Sequence, residues 1–257
     1  MNGSHPEQDE LFVVVPFYNE ERWLDVTLDA LAGQSDLGFT LVLVDNASTD
    51  RSAEVALEFA RANPSLAVDR LYEPQKGTGT ASDTGFRYAI ARGARWIART
   101  DADCLPDRHW VRNIKRAFTQ ERLEFLGGKI RRRQDEPAAV WCDCFVLPAL
   151  VWVAERYGKL FWRGPQFKYP YFLAPGNNLA ITAELYVAAG GFPRSCIDEV
   201  HEDGALSETV RTITSRAAFR RDVVVYNSAR RVREYGYLNT LRWYRNHGYR
   251  PARVDIR

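Results

Sequence analysis

The chain has 257 residues, of which 46% are apolar, 26% charged and 12% aromatic, a balance that excludes a disordered, fibrous or membrane-embedded protein. The net charge of +2 is unevenly placed: the 11 Arg from Arg216 to Arg257 face Asp222, Glu234 and Asp255, a local +8 that leaves −6 on the first 215 residues. Such a tail suits phosphate groups, nucleic acid or anionic lipid heads, and also reads as a solvated basic surface. Cys104, Cys142, Cys144 and Cys196 fit no zinc spacing, so reduced thiols in a cytoplasmic protein are expected. Residues 1–10 are polar and acidic, unlike a secretory leader. The longest apolar stretch, Ala138 to Ala154, is broken by Asp143 and Pro148 and is short for a membrane span.

The first element is an unbroken apolar run, Leu11 to Pro16, the signature of a strand buried on both faces. Glu20 to Ala32 follows with Trp23, Leu24, Leu28 and Leu31 at helical spacing. The alternation continues with a strand over Thr40 to Val44, a helix over Ser52 to Ala62 and a strand over Ala67 to Tyr72. A helix over Thr80 to Arg92 and a strand over Arg95 to Thr100 complete it. This order predicts right-handed βαβ units, hence an α/β fold whose central, mostly parallel sheet is covered by helices on both faces. Beyond Cys104 the pattern weakens to a helix (Asp107 to Phe118), a strand (Glu124 to Arg131), a short strand (Leu179 to Thr182) and helices over Ala183 to Ala189 and Glu202 to Thr214. With no linker-like segment, residues 1–257 read as one domain. Residues 11–104 form a nucleotide-binding half, 105–215 a half that shapes a second substrate site, and 216–257 a basic extension.

Ligands of open parallel sheets bind beyond the carboxyl ends of the strands. Those ends are polar here: Pro16-Phe17-Tyr18-Asn19-Glu20, then Asp45-Asn46 with Ser48 and Asp50, then Asp101-Ala102-Asp103. Asp45 suits a nucleoside base or ribose, whereas Ser48 and Asp50 read equally well as turn and cap residues. Two carboxylates one residue apart at a strand tip repel unless a cation or hydrogen bonds neutralise them, and Mg²⁺ or Mn²⁺ with diphosphate oxygens would do so. Gly77 and Gly79 match neither a dinucleotide fingerprint nor a P-loop.

In sum these motifs resemble family 2 glycosyltransferases of the GT-A (Rossmann-like) fold. VVVPFYNEE is similar to that family's opening strand and turn, LVLVDNASTD to its VDDGSTD segment and TDAD to its metal-binding D-x-D. The stretch Lys76 to Gly85 is similar to its G-x-x-x-A-R-N-x-G helix start, with Ser82 for the usual Arg and Asp83 for the usual Asn. APGNNLAI and AAGGF resemble the G-x-N-x-A segment and GGF turn, and His201-Glu202-Asp203 stands at the E-D pair. Asn239-Thr240-Leu241-Arg242-Trp243 resembles Q-x-x-R-W.

The resemblance implies an inverting hexosyltransferase that moves a sugar from a nucleotide diphosphate sugar, UDP-linked in the first instance, to an acceptor hydroxyl. By it, Asp203 is the general base, with Glu202 beside it. Pro16, Tyr18, Asn19, Glu20, Asp45, Asn46, Gly77, Asp83, Asp101, Ala102, Asp103 and Arg242 bind the donor. Asn178 and Trp243 meet the acceptor, and Asp103, Asp101 and His247 hold Mg²⁺ or Mn²⁺, with His201 the alternative to His247 in that shell. Trp243 and the aromatics Trp152, Tyr157, Phe161, Trp162, Tyr169, Tyr171 and Phe172 offer faces for a sugar ring, though most of them read as core. The acceptor is lipid-linked or a small molecule, nucleic acid is not a partner, and the basic tail suits a peripheral contact with the inner face of a membrane. A retaining transferase, a catalytically silent nucleotide-sugar-binding subunit and a sugar nucleotidyltransferase are the competing readings.

Overall fold

A computed structural model describes residues 10–133, 135, 164–194, 201–228, 230, 233, 236 and 239–240. Tyr157, Phe161, Trp162, Arg242, Trp243, His247 and the stretch Ala138 to Ala154 lie outside these described residues. The strands are β1 (Leu11–Phe17), β2 (Thr40–Asp45), β3 (Ala67–Tyr72), β4 (Trp96–Arg99), β5 (Cys104–Pro106), β6 (Phe125–Arg132), β7 (Leu179–Thr182) and β8 (Ala217–Asn227). They form one sheet in the order β3-β2-β1-β4-β7-β6-β8-β5. The β3, β2, β1 and β4 neighbours run parallel, as does β6 with β8. Strand β7 is antiparallel to both β4 and β6.

Helices cover both faces, as the alternation predicted. The residues of β1 divide by parity, as strand geometry requires. Leu11, Val13, Val15 and Phe17 pack with Leu24, Leu28 and Leu31 of α1 (Leu24–Ala32), Phe59 of α2 (Ser52–Ala62) and Trp110, Ile114 and Phe118 of α4 (Trp110–Thr119). Phe12 and Val14 pack on the other face with Phe86 of α3 (Thr78–Ala91), Tyr186 of α5 (Ala183–Ala188) and Leu206 and Val210 of α6 (Glu202–Ile213).

Helix α3 approaches β1 so closely that a Cβ on Gly85 would lie 2.4 Å from Val14 Cγ1 and 3.0 Å from Val44 Cγ2. Gly85→Ala is therefore expected to destabilise the fold by about 2 kcal/mol, because overpacking outweighs the ~1 kcal/mol that Ala gains in a helix. A denaturant midpoint equal to that of the parent would show that the helix can shift at no cost.

Two strands were not visible in the pattern. Strand β8 carries Arg220, Arg221 and Asp222 and alternates poorly, yet it pairs with β6 in two stretches separated by an irregularity at Gly128/Lys129. Strand β5 is a three-residue piece that pairs antiparallel with the end of β8. Together they bring residue 230, just beyond β8, back to the strand tips that matter. Among the described residues no helix is long and apolar enough to cross a membrane.

Candidate active site

The carboxyl ends of β1, β2 and β4 open at one edge of the sheet, and hydrogen bonds tie their loops together. Asn19 adopts a left-handed backbone (φ 54°) at the tip of β1. Its N–H donates to Ser48 Oγ (3.1 Å) and its Oδ1 accepts the Thr49 N–H (2.8 Å). The Glu20 N–H donates to Ser52 Oγ and the Glu21 N–H to Asp50 Oδ2. Ser48 and Asp50 are thus loop-tying residues. Asp45 accepts the Ser48 N–H through Oδ1 (2.9 Å) and is half-buried, beside exposed Tyr72, its register partner on β3.

Five residues expected to meet ligands have internal partners. The buried Asn46 amide donates to the Glu73 and Gln75 carbonyls and accepts the Gly77 N–H, so it fastens the β2 and β3 loops to the start of α3. Gly77, at φ 145°, makes that turn in a conformation favourable only to glycine. Asp83 is fully buried: Oδ1 accepts Tyr186 Oη–H (2.9 Å), and Oδ2 lies 2.7 Å from Arg87 Nε and 3.3 Å from Arg194 Nη1. Gly190 and Gly191, at φ 82° and 81°, fold the G-G-F turn onto it. Asp83 is therefore the anchor of that turn rather than a donor contact. Asn178, expected at the acceptor, is also fully buried, with its amide spent on Trp110 Nε1–H (2.9 Å) and the carbonyls of Lys129 and Val223. Ala102 is buried too, and its carbonyl accepts Thr27 Oγ1–H.

The residues that do converge are carboxylates, gathered by two arginines that the sequence did not single out. Arg99, the last residue of β4, is 1% exposed. It donates from Nε and Nη2 to Asp101 Oδ1 (3.2 and 3.1 Å) and from Nη1 to Glu202 Oε1 (3.0 Å). Asp203, one residue on in α6, accepts the N–H groups of Gly176 (2.8 Å) and Gly204 (2.7 Å) and remains half-buried. Burial, with Asp203 adding to it, pushes the Glu202 carboxyl upward against the pull of Arg99. His201 is exposed and precedes this helix.

Arg230 closes the other side. Its guanidinium grips Glu20 through both terminal nitrogens, and its Nε lies 3.0 Å from Asp103 Oδ2. Burial pushes Glu20 up to about 7 despite Arg230, with Asp103 and Asp101 acting in the same sense. Cys104, buried and free, directs its thiol to Asp103 and Asn227.

Five carboxylates (Glu20, Asp101, Asp103, Glu202, Asp203) and two guanidiniums leave this cluster formally at −3. Repulsion from such a charge opposes an incoming diphosphate, and a cation beside the carboxylates would offset it. Among the described residues no group of three His, Cys, Asp or Glu could hold a metal unaided. The donor set instead fits a hard divalent ion bound by one or two carboxylates and completed by phosphate oxygens and water.

A family model described as glycosyl transferase family 2 matches residues 12–172. Glycosyltransferase AglE of Haloferax volcanii is 24% identical over 225 residues, covering 85% of this chain and 66% of that protein. TarS of S. aureus in complex with UDP superimposes with a TM-score of 0.61 at 17% identity, over 85% of this chain and 60% of that one. Mannosyltransferase PcManGT from Pyrobaculum calidifontis, in complex with GDP-Man and Mn²⁺, gives 0.63 at 23% identity, over 94% and 66%. These likenesses establish the GT-A-like α/β fold, and the chain spans less than two thirds of the length of each of these three proteins.

Proposed function

The chain belongs to glycosyl transferase family 2, and we propose that it is an inverting transferase that moves a sugar from a nucleotide diphosphate sugar to an acceptor hydroxyl. One observation carries this reading: Asp101 of the D-x-D and Glu202 of the E-D pair bind the same buried guanidinium, so both motifs serve one site. Inversion requires a base facing the sugar and a positive group beside the leaving diphosphate to offset the negative charge it gains. Asp203 suits the first task. Two backbone N–H groups orient its carboxylate while it keeps access to solvent.

For the second task, Asp103 would hold a Mg²⁺ or Mn²⁺ ion, which when bound neutralises charge on the departing nucleoside diphosphate. Asp101, fixed by Arg99, orients the donor alongside. Asp45 at the end of β2 and Tyr18 just beyond β1 would meet the base and ribose, and Lys76 Nζ donates to Tyr18 Oη (2.8 Å). Arg242 and Trp243 of the Q-x-x-R-W-like segment and His247 are assigned to donor, acceptor and metal respectively by resemblance alone. UDP is the first donor base to test, because TarS binds it; GDP is the second, because PcManGT binds GDP-Man. The acceptor is a lipid-linked or small-molecule hydroxyl presented at a cytoplasmic site, and the Arg-rich tail favours the anionic face of a membrane for it.

The test is a panel of UDP- and GDP-sugars with Mn²⁺, scored by release of free nucleotide and by the anomeric configuration of the product. Release of UDP or GDP with an inverted product is expected. A retained configuration would remove the base role of Asp203, and pyrophosphate exchange would point to nucleotidyl transfer.

A further inference from the structure

Arg99 stands at the end of a strand buried along its whole length, between β1 and β7. A guanidinium there is costly unless every arm is paired, so it must be held by partners that gain from it. Four separate segments meet on this one group. Asp101 comes from the D-x-D turn and Glu202 from the start of α6. Gly176, of the turn before β7, passes so close that a Cβ on it would lie 3.1 Å from the guanidinium carbon and both terminal nitrogens. The Phe192 ring of the G-G-F turn lies 5.6 Å from the guanidinium carbon. Gly176 in turn donates its N–H to Asp203. Asp203 is thereby located twice with respect to Arg99, through its neighbour Glu202 and through Gly176.

We propose that Arg99 is a positioning residue that holds the donor carboxylate Asp101 and the base-bearing pair Glu202–Asp203 in one fixed geometry. This goes beyond the reading of the site as a glycosyl transferase centre and rests on it. Arg99, being 1% exposed, would act through these carboxylates and not on a ligand directly. It acts because a planar fork can bind two carboxylates in different directions at once, which a lysine ammonium at the end of a flexible stem does not reproduce. A lysine at this position keeps the charge but has no fork with which to hold Asp101 and Glu202 together, so the link between them is lost. The separation matters because an error of about 1 Å at a reacting centre costs about 100-fold in rate.

The experiment uses the full chain and its Arg99→Lys variant. UDP and GDP affinity is measured by calorimetry with Mn²⁺, and turnover by release of UDP or GDP from UDP-GlcNAc and GDP-mannose. The expected result is a fall in kcat of about 100-fold, with nucleotide affinity and KM for the donor within a few-fold of the parent. Glu202→Gln cuts the same link from the other end and stands in should Arg99→Lys fail to fold. The same split is expected for it, and the double variant should be no worse than the poorer single one. A kcat within a few-fold of the parent would overturn the proposal, as would nucleotide affinity and kcat falling together with the melting temperature, which marks a purely structural arginine. A parent chain that binds neither nucleotide would instead sink the transferase reading itself, and with it any task for Arg99.

Discussion

Asp203→Asn is expected to lower turnover by about 10³-fold, the order of a general base's contribution, while UDP affinity stays within a few-fold of the parent. The asymmetry follows from where the carboxylate stands. It is on the first turn of α6, near Arg99, and its hydrogen bonds go to the Gly176 and Gly204 N–H groups, so removing its charge breaks no contact of Asp101 or Asp103. Asparagine preserves the shape and loses the basicity. It also leaves one of the two N–H groups, from Gly176 or Gly204, facing an amide NH₂ in place of an oxygen. That mismatch costs about 1 kcal/mol of stability at a half-buried site, a small shift in melting temperature that can be measured separately. Nucleotide-release kinetics beside calorimetry with UDP decide the matter. Equal losses in kcat and affinity would make Asp203 a structural residue.

The first hundred residues were legible because each βαβ unit announces itself twice, by an apolar run and by a helical stripe. Ser52–Ala62 and Ala67–Tyr72 have the bounds that the pattern predicted. Strand β8 escaped because its middle is charged: Arg220 and Asp222 pair with each other, and Arg220 also with Glu121, outside any alternating pattern. The site was legible as motifs and illegible as roles. Asn178 and Asp83 have the composition of ligand contacts, yet both are fully buried and saturated by internal partners, which only the packing of distant segments could reveal. Arg99 did leave a signal, since arginine ending a four-residue apolar strand is a rare buried charge that demands partners. Arg230 left none, being one of 11 arginines in a stretch read as a basic surface. Its side chain is only 19% exposed and faces acids contributed by residues 20 and 103.

That pairing sets the expectation for Asp103→Ala, which should remove the dependence of UDP affinity on Mn²⁺. In the parent, Asp103 lies 3.0 Å from Arg230 Nε, and Arg230 is itself claimed by Glu20. Without a divalent ion, an incoming diphosphate meets Asp103 as a like charge and Arg230 as a cation already shared between two acids. Mn²⁺ should therefore tighten UDP binding in the parent by about 100-fold, or ~3 kcal/mol. Removing the carboxylate eliminates the ion's anchor and also relieves the repulsion, freeing one edge of Arg230. The variant should accordingly lose the Mn²⁺ effect and bind UDP in chelator as well as the parent does, or several-fold more tightly. Arg230→Met should move in the opposite sense, weakening binding in chelator, because it strips the cluster of a cation and leaves Glu20 buried without its partner. Calorimetry of both variants with UDP, in Mn²⁺ and in chelator, gives four affinities whose pattern is fixed in advance. An unchanged Mn²⁺ effect in Asp103→Ala would place the ion elsewhere. Weaker binding of Asp103→Ala in chelator would mean that this carboxylate contacts the nucleotide directly.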